Sequence, residues 1–107
     1  MGGGGGGQPP TATVTVGNNL FRSDQNGSVN PAVDTVPVGS TVRFRWVNTG
    51  NVPHTVESEG QPHFTSSAVL TGNGKTYDAT FPAPGTYEYD CAVHGGMMTG
   101  TVVVVSR

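Results

Sequence analysis

The stretch Tyr87-Glu88-Tyr89-Asp90-Cys91-Ala92-Val93-His94-Gly95-Gly96-Met97-Met98-Thr99-Gly100-Thr101, running on into Val102-Val103-Val104-Val105, decides how the chain is read. Before the cysteine, Tyr87, Tyr89 and Cys91 alternate with Glu88 and Asp90. That is the period-two pattern of a strand with one face in the core. Thr101 to Val105 is a second apolar strand, so the chain must turn between them. The Gly95-Gly96 pair permits such a turn, because glycine reaches backbone conformations closed to other residues. The only cysteine, a histidine and two methionines therefore fall within eight positions. A lone cysteine has no internal disulfide partner, and its plainest reading is a small buried hydrophobe. Cys91 at the inward end of a strand agrees with burial, and His94 three residues on favours ligation as well.

Working outward, the same alternation recurs. Thr41 to Val47 is the clearest strand, with Val42, Phe44 and Trp46 facing one way and Thr41, Arg43 and Arg45 the other. Trp46 is the expected centre of the core. Thr11 to Val16 reads as a first strand with Ala12, Val14 and Val16 inward, followed by the turn Gly17-Asn18-Asn19. Ser23 to Asn30 is rich in turn formers and reads as a loop. Pro31 to Val36 reads as a short strand that Pro37 restricts to a sheet edge or a strand end. His54 to Ser58 reads as a resumed strand, Glu59 to Ser67 as irregular, and Lys75 to Phe81 as a strand with Tyr77, Ala79 and Phe81 on one side. Seven to eight short strands at regular spacing, with no helix-period segment, predict an all-β fold: an antiparallel Greek-key β-sandwich or barrel.

Composition agrees. The 107 residues suffice for one domain with a modest core, and the sequence is rich in Val, Thr, Gly and Pro, which favours strands and turns. Charged residues make up 11% and the net charge is -2, so there is no basic patch for nucleic acid. No apolar run approaches the length of a membrane span. Residues 1–10, with six consecutive glycines and then Gln8-Pro9-Pro10, read as a flexible tail, and residues 11–107 as the domain. The tail reads as a natural spacer, with an expression scar as the alternative.

A thiolate, an imidazole and a thioether together suit copper rather than a hard cation. A second imidazole must come from elsewhere, and the sequence offers His54 and His63. His54 opens a strand after the Pro-bounded loop Asn48 to Pro53, which fixes its backbone. His63 lies in the irregular polar stretch Glu59 to His63, where a solvated histidine is the default. The setting favours His54.

The segment Gly85-Thr86-Tyr87-Glu88-Tyr89-Asp90-Cys91-Ala92-Val93-His94 through Met98-Thr99-Gly100-Thr101-Val102 resembles the closing segment of small blue copper proteins, the cupredoxin family of plastocyanin and amicyanin type. Trp46 to Gly50 with His54-Thr55-Val56 is similar to the family's first-histidine loop, and the likeness covers nearly all of residues 11 to 106. The resemblance implies a type 1 copper site held by His54, Cys91 and His94, with an axial methionine. In the family that methionine usually stands two before a glycine opening the final strand. Met98-Thr99-Gly100 fits, Met97 does not, and Met98 is the expected ligand. The family often has Asn directly after the first histidine, supporting the cysteine loop. Here Thr55 stands there, and its shorter reach puts that support in doubt, while Asn48 is expected to shape the loop. A backbone amide next to His54 or in the Ala92-Val93 loop is expected to donate to the sulfur.

The implied function is one-electron transfer between Cu(II) and Cu(I), with a copper storage or delivery protein as the alternative. An enzyme is not expected: copper oxidases and nitrite reductases need further histidines, and the chain has three in all. Val52, Pro53, Ala92, Val93 and Met97 are expected to form an apolar rim around His94 where redox partners dock transiently. The chain is expected to be a monomer working in the periplasm or otherwise outside the cytoplasm, with membrane tethering through the tail left open.

Overall fold

The computed structural model of the chain describes residues 10–47 and 49–106. The expectations for residues 1–9 of the tail and for Asn48 lie outside the described residues. Among the described residues eight strands form: β1 (Ala12–Gly17), β2 (Leu20–Ser23), β3 (Ala32–Pro37), β4 (Ser40–Trp46), β5 (Glu57–Glu59), β6 (Thr76–Phe81), β7 (Gly85–Cys91) and β8 (Gly95–Val105). They make two four-stranded sheets, ordered β2-β1-β4-β6 and β3-β8-β7-β5. From β2 to β7 the chain alternates between the sheets, so only the β1–β2 and β7–β8 connections stay within one.

The alternating residues do what their period dictates. Val14 and Val16 of β1, Phe44 and Trp46 of β4, and Tyr89 and Cys91 of β7 are all buried between the sheets. Each such large apolar side chain contributes about 1.5–3 kcal/mol on burial. Tyr89 sits at the middle of an aromatic cluster, edge-on to Phe21 (centroids 4.9 Å apart) and to Phe44 (5.2 Å). Its ring lies over Gly100, its Cα partner on β8. A Cβ at position 100 would fall 2.1 Å from Tyr89 Cζ, so only glycine fits there.

The structure corrects the sequence reading in four places. The sandwich is not purely antiparallel, because β1 pairs in parallel with β4 and β3 with β8. Leu20–Ser23 is a strand, joined to β1 by a two-residue turn, where the reading had no strand. Ser23 is buried there because its hydroxyl donates to the buried carboxylate of Asp34 on β3 (2.8 Å), tying the edges of the two sheets together. His54 does not open a continuous strand. It forms an isolated bridge with Leu70, and β5 is confined to Glu57–Glu59. The turn after β7 falls on Ala92–His94, and the Gly95-Gly96 pair already belongs to β8. Pro37 ends β3, an edge strand, as expected.

Candidate metal centre

β1, β4 and β7 all finish at one end of the sandwich, and three connections gather there: the β1–β2 turn, the β4–β5 loop and the β7–β8 turn. The β4–β5 loop carries His54. Its amide donates to the Leu70 carbonyl (3.1 Å) and its own carbonyl accepts from the Leu70 amide (3.0 Å). The Leu70 carbonyl also accepts the indole N–H of Trp46 (3.0 Å), so the His54 backbone is tied to the centre of the core. Further along the same pair of segments, the Gly72 carbonyl accepts the Thr49 hydroxyl (3.0 Å).

Cys91 closes β7 on the inward face and is fully buried. Its Cα partner is Gly95, whereas Asp90 pairs with Thr99, so Gly96, Met97 and Met98 form a bulge beside the cysteine. Bulges of this kind re-aim side chains at strand ends. Within it Met98 is fully buried and Met97 is 68% exposed. The His94 amide donates to the Cys91 carbonyl (3.2 Å), which closes the turn and brings the imidazole back over the sulfur.

The result is a convergence of three donor atoms. Cys91 Sγ lies 3.9 Å from His54 Nδ1 and 3.5 Å from His94 Nδ1. One ligand atom from each of His54, Cys91 and His94 lies within 4.8 Å of the others. The two imidazole centroids are 4.8 Å apart. Burial, with the His94 ring as a second cause, holds the His54 pKa below its ordinary value. A neutral imidazole is the form that offers a lone pair to a metal.

Hydrogen bonds hold the donors. The Thr55 amide donates to Cys91 Sγ (3.4 Å), which is the sulfur bond expected next to His54. The Thr55 hydroxyl accepts from the Ala92 amide (2.7 Å), so the doubt about that residue's reach is overturned: a buried threonine, close against the turn, braces the cysteine loop. Sequence reasoning missed Asn18. Its side-chain Oδ1 stands 2.9 Å from His54 Nε2, across 36 residues of sequence. His63 is exposed and outside the cluster, with its Nδ1 near Gln61 Oε1 (3.4 Å). A separate group of hard oxygen donors, Glu57 and Glu59 on β5 and Asp90 on the neighbouring β7, lies on the paired strands. The Asp90 carboxyl is pushed up to about 6 by burial first, then by its hydrogen bond with Glu59 and the charges of Glu59 and Glu57.

The cupredoxin-like domain pattern matches residues 9–104. The chain belongs to the cupredoxin-like family. It is 37% identical over 71 residues to amicyanin-alpha of Methylorubrum extorquens, covering 64% of this chain and 57% of that one. It is 32% identical over 97 residues to plastocyanin A/B of Petroselinum crispum, covering 77% and 93%. This cupredoxin thus spans little more than half of the amicyanin-alpha chain and nearly all of the plastocyanin. Among solved structures it is similar to a purple cupredoxin from Nitrosopumilus maritimus, at a TM-score of 0.66 and 25% identity, covering 87% of this chain and 98% of that one. Two imidazole nitrogens and a sulfur, buried and held by hydrogen bonds, beside a buried thioether, form a soft donor set. That donor set and the family fit one type 1 copper ion.

Proposed function

We propose that this cupredoxin is a one-electron carrier in which His54, Cys91, His94 and Met98 hold a single copper ion. The convergence of the His54, Cys91 and His94 donor atoms within 4.8 Å carries the reading. Copper, when bound, supplies a one-electron Cu(II)/Cu(I) couple. The chain's part is to give up the Cys91 thiol proton on loading, to hold the resulting thiolate with the Thr55 N–H, and to keep water from the sulfur by complete burial. His54 and Cys91 are fixed by bonds to Leu70, Asn18 and Thr55, so the donor set rearranges little between charge states. Met98 is favoured over Met97 as the fourth donor because it is buried in the bulge beside Cys91, whereas Met97 faces solvent.

Electrons reach the site through His94, which is half-buried, with Ala92, Val93, Gly96 and Met97 exposed around it. This small apolar rim suits brief encounters with redox proteins rather than a permanent interface. The protein works as a monomer outside the cytoplasm and is not an enzyme. A storage or delivery role calls for thioethers and imidazoles open to solvent, and the burial of Cys91, His54 and Met98 counts against it.

Loading with Cu(II) and recording a visible spectrum tests the proposal. An intense thiolate-to-copper band in the parent, absent in Cys91→Ser, supports it. A colourless copper adduct of the parent overturns it. Retention of copper against a moderate chelator through repeated reduction and reoxidation separates a carrier from a delivery protein.

A further inference from the structure

Asn18 faces the ring edge of His54 that points away from Cys91. It is the first residue of the two-residue turn between β1 and β2, whose flanking residues Gly17 and Leu20 are Cα partners. Asn19 takes a φ of 65°, a left-handed conformation that asparagine tolerates better than most residues. Four hydrogen bonds brace the turn. The Asn19 carbonyl accepts from Asn30 Nδ2 (2.9 Å), and Asn30 Oδ1 in turn accepts the amides of Phe21 (3.2 Å) and Thr99 (3.4 Å). The Val16 carbonyl accepts the Val47 amide (2.9 Å), which sets the turn beside the root of the His54 loop. Thr99 is the neighbour of Met98, so the platform that carries Asn18 is tied to both sheets.

The His54 backbone is placed by Leu70, but the backbone does not decide which ring nitrogen bears hydrogen. A neutral imidazole has one N–H donor and one lone pair. Asn18 Oδ1 is an acceptor only, and it lies 2.9 Å from Nε2. An N–H on Nε2 satisfies that oxygen and leaves the lone pair on Nδ1, the atom facing Cys91 Sγ. Ring partners of this kind fix tautomer and orientation in metal sites, and their loss typically costs about 10–100-fold in metal affinity.

We propose that Asn18 is a positioning residue for the metal centre, selecting the Nε2–H tautomer of His54 and thereby aiming the Nδ1 lone pair at the ion. The inference rests on the reading of His54 as a ligand, and its first test needs no metal. Long-range proton–nitrogen correlation spectra of the metal-free protein report the tautomer of each histidine. The expected result is a single Nε2–H form for His54 in the parent and a mixture of tautomers in Asn18→Ala. An Nδ1–H form in the parent, or an unchanged tautomer in Asn18→Ala, overturns the proposal.

Copper titration supplies the second test. Asn18→Ala is expected to bind copper about 10–100-fold more weakly. Asn18→Asp, which keeps an acceptor oxygen at the same reach, is expected to retain parental affinity and to shift the reduction potential. If Asn18→Ala lowers the melting temperature while leaving tautomer, affinity and potential as in the parent, Asn18 is a turn residue and the proposal fails. A parent with no thiolate band defeats the copper reading itself, whereas a blue parent with an unresponsive His54 defeats only the role of Asn18.

Discussion

His54 and His94 bring the same side chain to one sulfur from segments with very different support. The His54 segment exchanges two backbone bonds with Leu70 and meets Asn18 at its far nitrogen, and the His54 side chain is fully buried. The His94 segment is a short turn in which the His94 amide donates to the Cys91 carbonyl (3.2 Å) and the His94 carbonyl accepts from the Met97 amide (3.4 Å), with exposed residues on both sides. One loop is anchored to the core and the other is open to the outside. The difference teaches that a buried soft-donor site can divide its needs. The inner histidine is held and the outer one is accessible, and Thr55, bonded to both Cys91 Sγ and the Ala92 amide, ties the two segments together.

The largest effect comes from removing each ring in turn. In His94→Gly the vacated space opens to solvent, so added imidazole is expected to restore the visible band of the copper-loaded protein. His54→Gly deletes a fully buried ring, is expected to lose about 2–4 kcal/mol of stability, and is not restored by imidazole. Equal rescue of both variants breaks the comparison. Next comes the link between the loops. Thr55→Ala removes the acceptor of the Ala92 amide and is expected to cost about 1–2 kcal/mol in denaturant unfolding, with Thr55→Ser recovering most of it.

Asp34 supplies a control away from both loops. Burial raises its pKa above the ordinary 3.8, outweighing the lowering by the Ser23 hydrogen bond, and the charge of Asp24 adds to the rise. Between the ordinary value and the raised one, the folded chain holds a proton that the unfolded chain has released. Stability therefore falls as pH rises through that window. Asp34→Asn is expected to flatten that part of the unfolding profile and to leave the copper spectrum unchanged. The smallest effect belongs to the exposed rim: Met97→Ala is expected to change stability by no more than about 0.5 kcal/mol, while slowing electron exchange with a partner protein.

Much of this was legible in the sequence, and the reason is periodicity. Val42, Phe44 and Trp46, like Tyr87, Tyr89 and Cys91, declare their inward face because every second residue meets the core. Spacing alone brought Cys91 and His94 together, since a two-residue gap cannot separate them far. Periodicity names a face, though, and not a neighbour, so the parallel pairings of β1 with β4 and β3 with β8 left no mark on the pattern. β2 escaped because its second inward residue is Ser23, whose burial is offset by Asp34 on another strand. Asn18 carried no signal at all, because Gly17-Asn18-Asn19 looks like any tight turn and its partner lies 36 residues away. Thr55 was judged by side-chain length, when the closeness of the Ala92 backbone decides whether a hydroxyl suffices.

β1 and β8, the first and last strands along the chain, both occupy interior positions, between β2 and β4 and between β3 and β7. Because β3 and β5 interrupt the strands of the first sheet, and β4 and β6 those of the second, neither sheet is built from a contiguous stretch. A ribosome-bound chain that has not yet delivered β8 leaves β3 with no strand to pair with and the bulge bearing Met98 unformed. The pocket that unites Cys91 with Met98 is thus completed only when the last of these strands has paired.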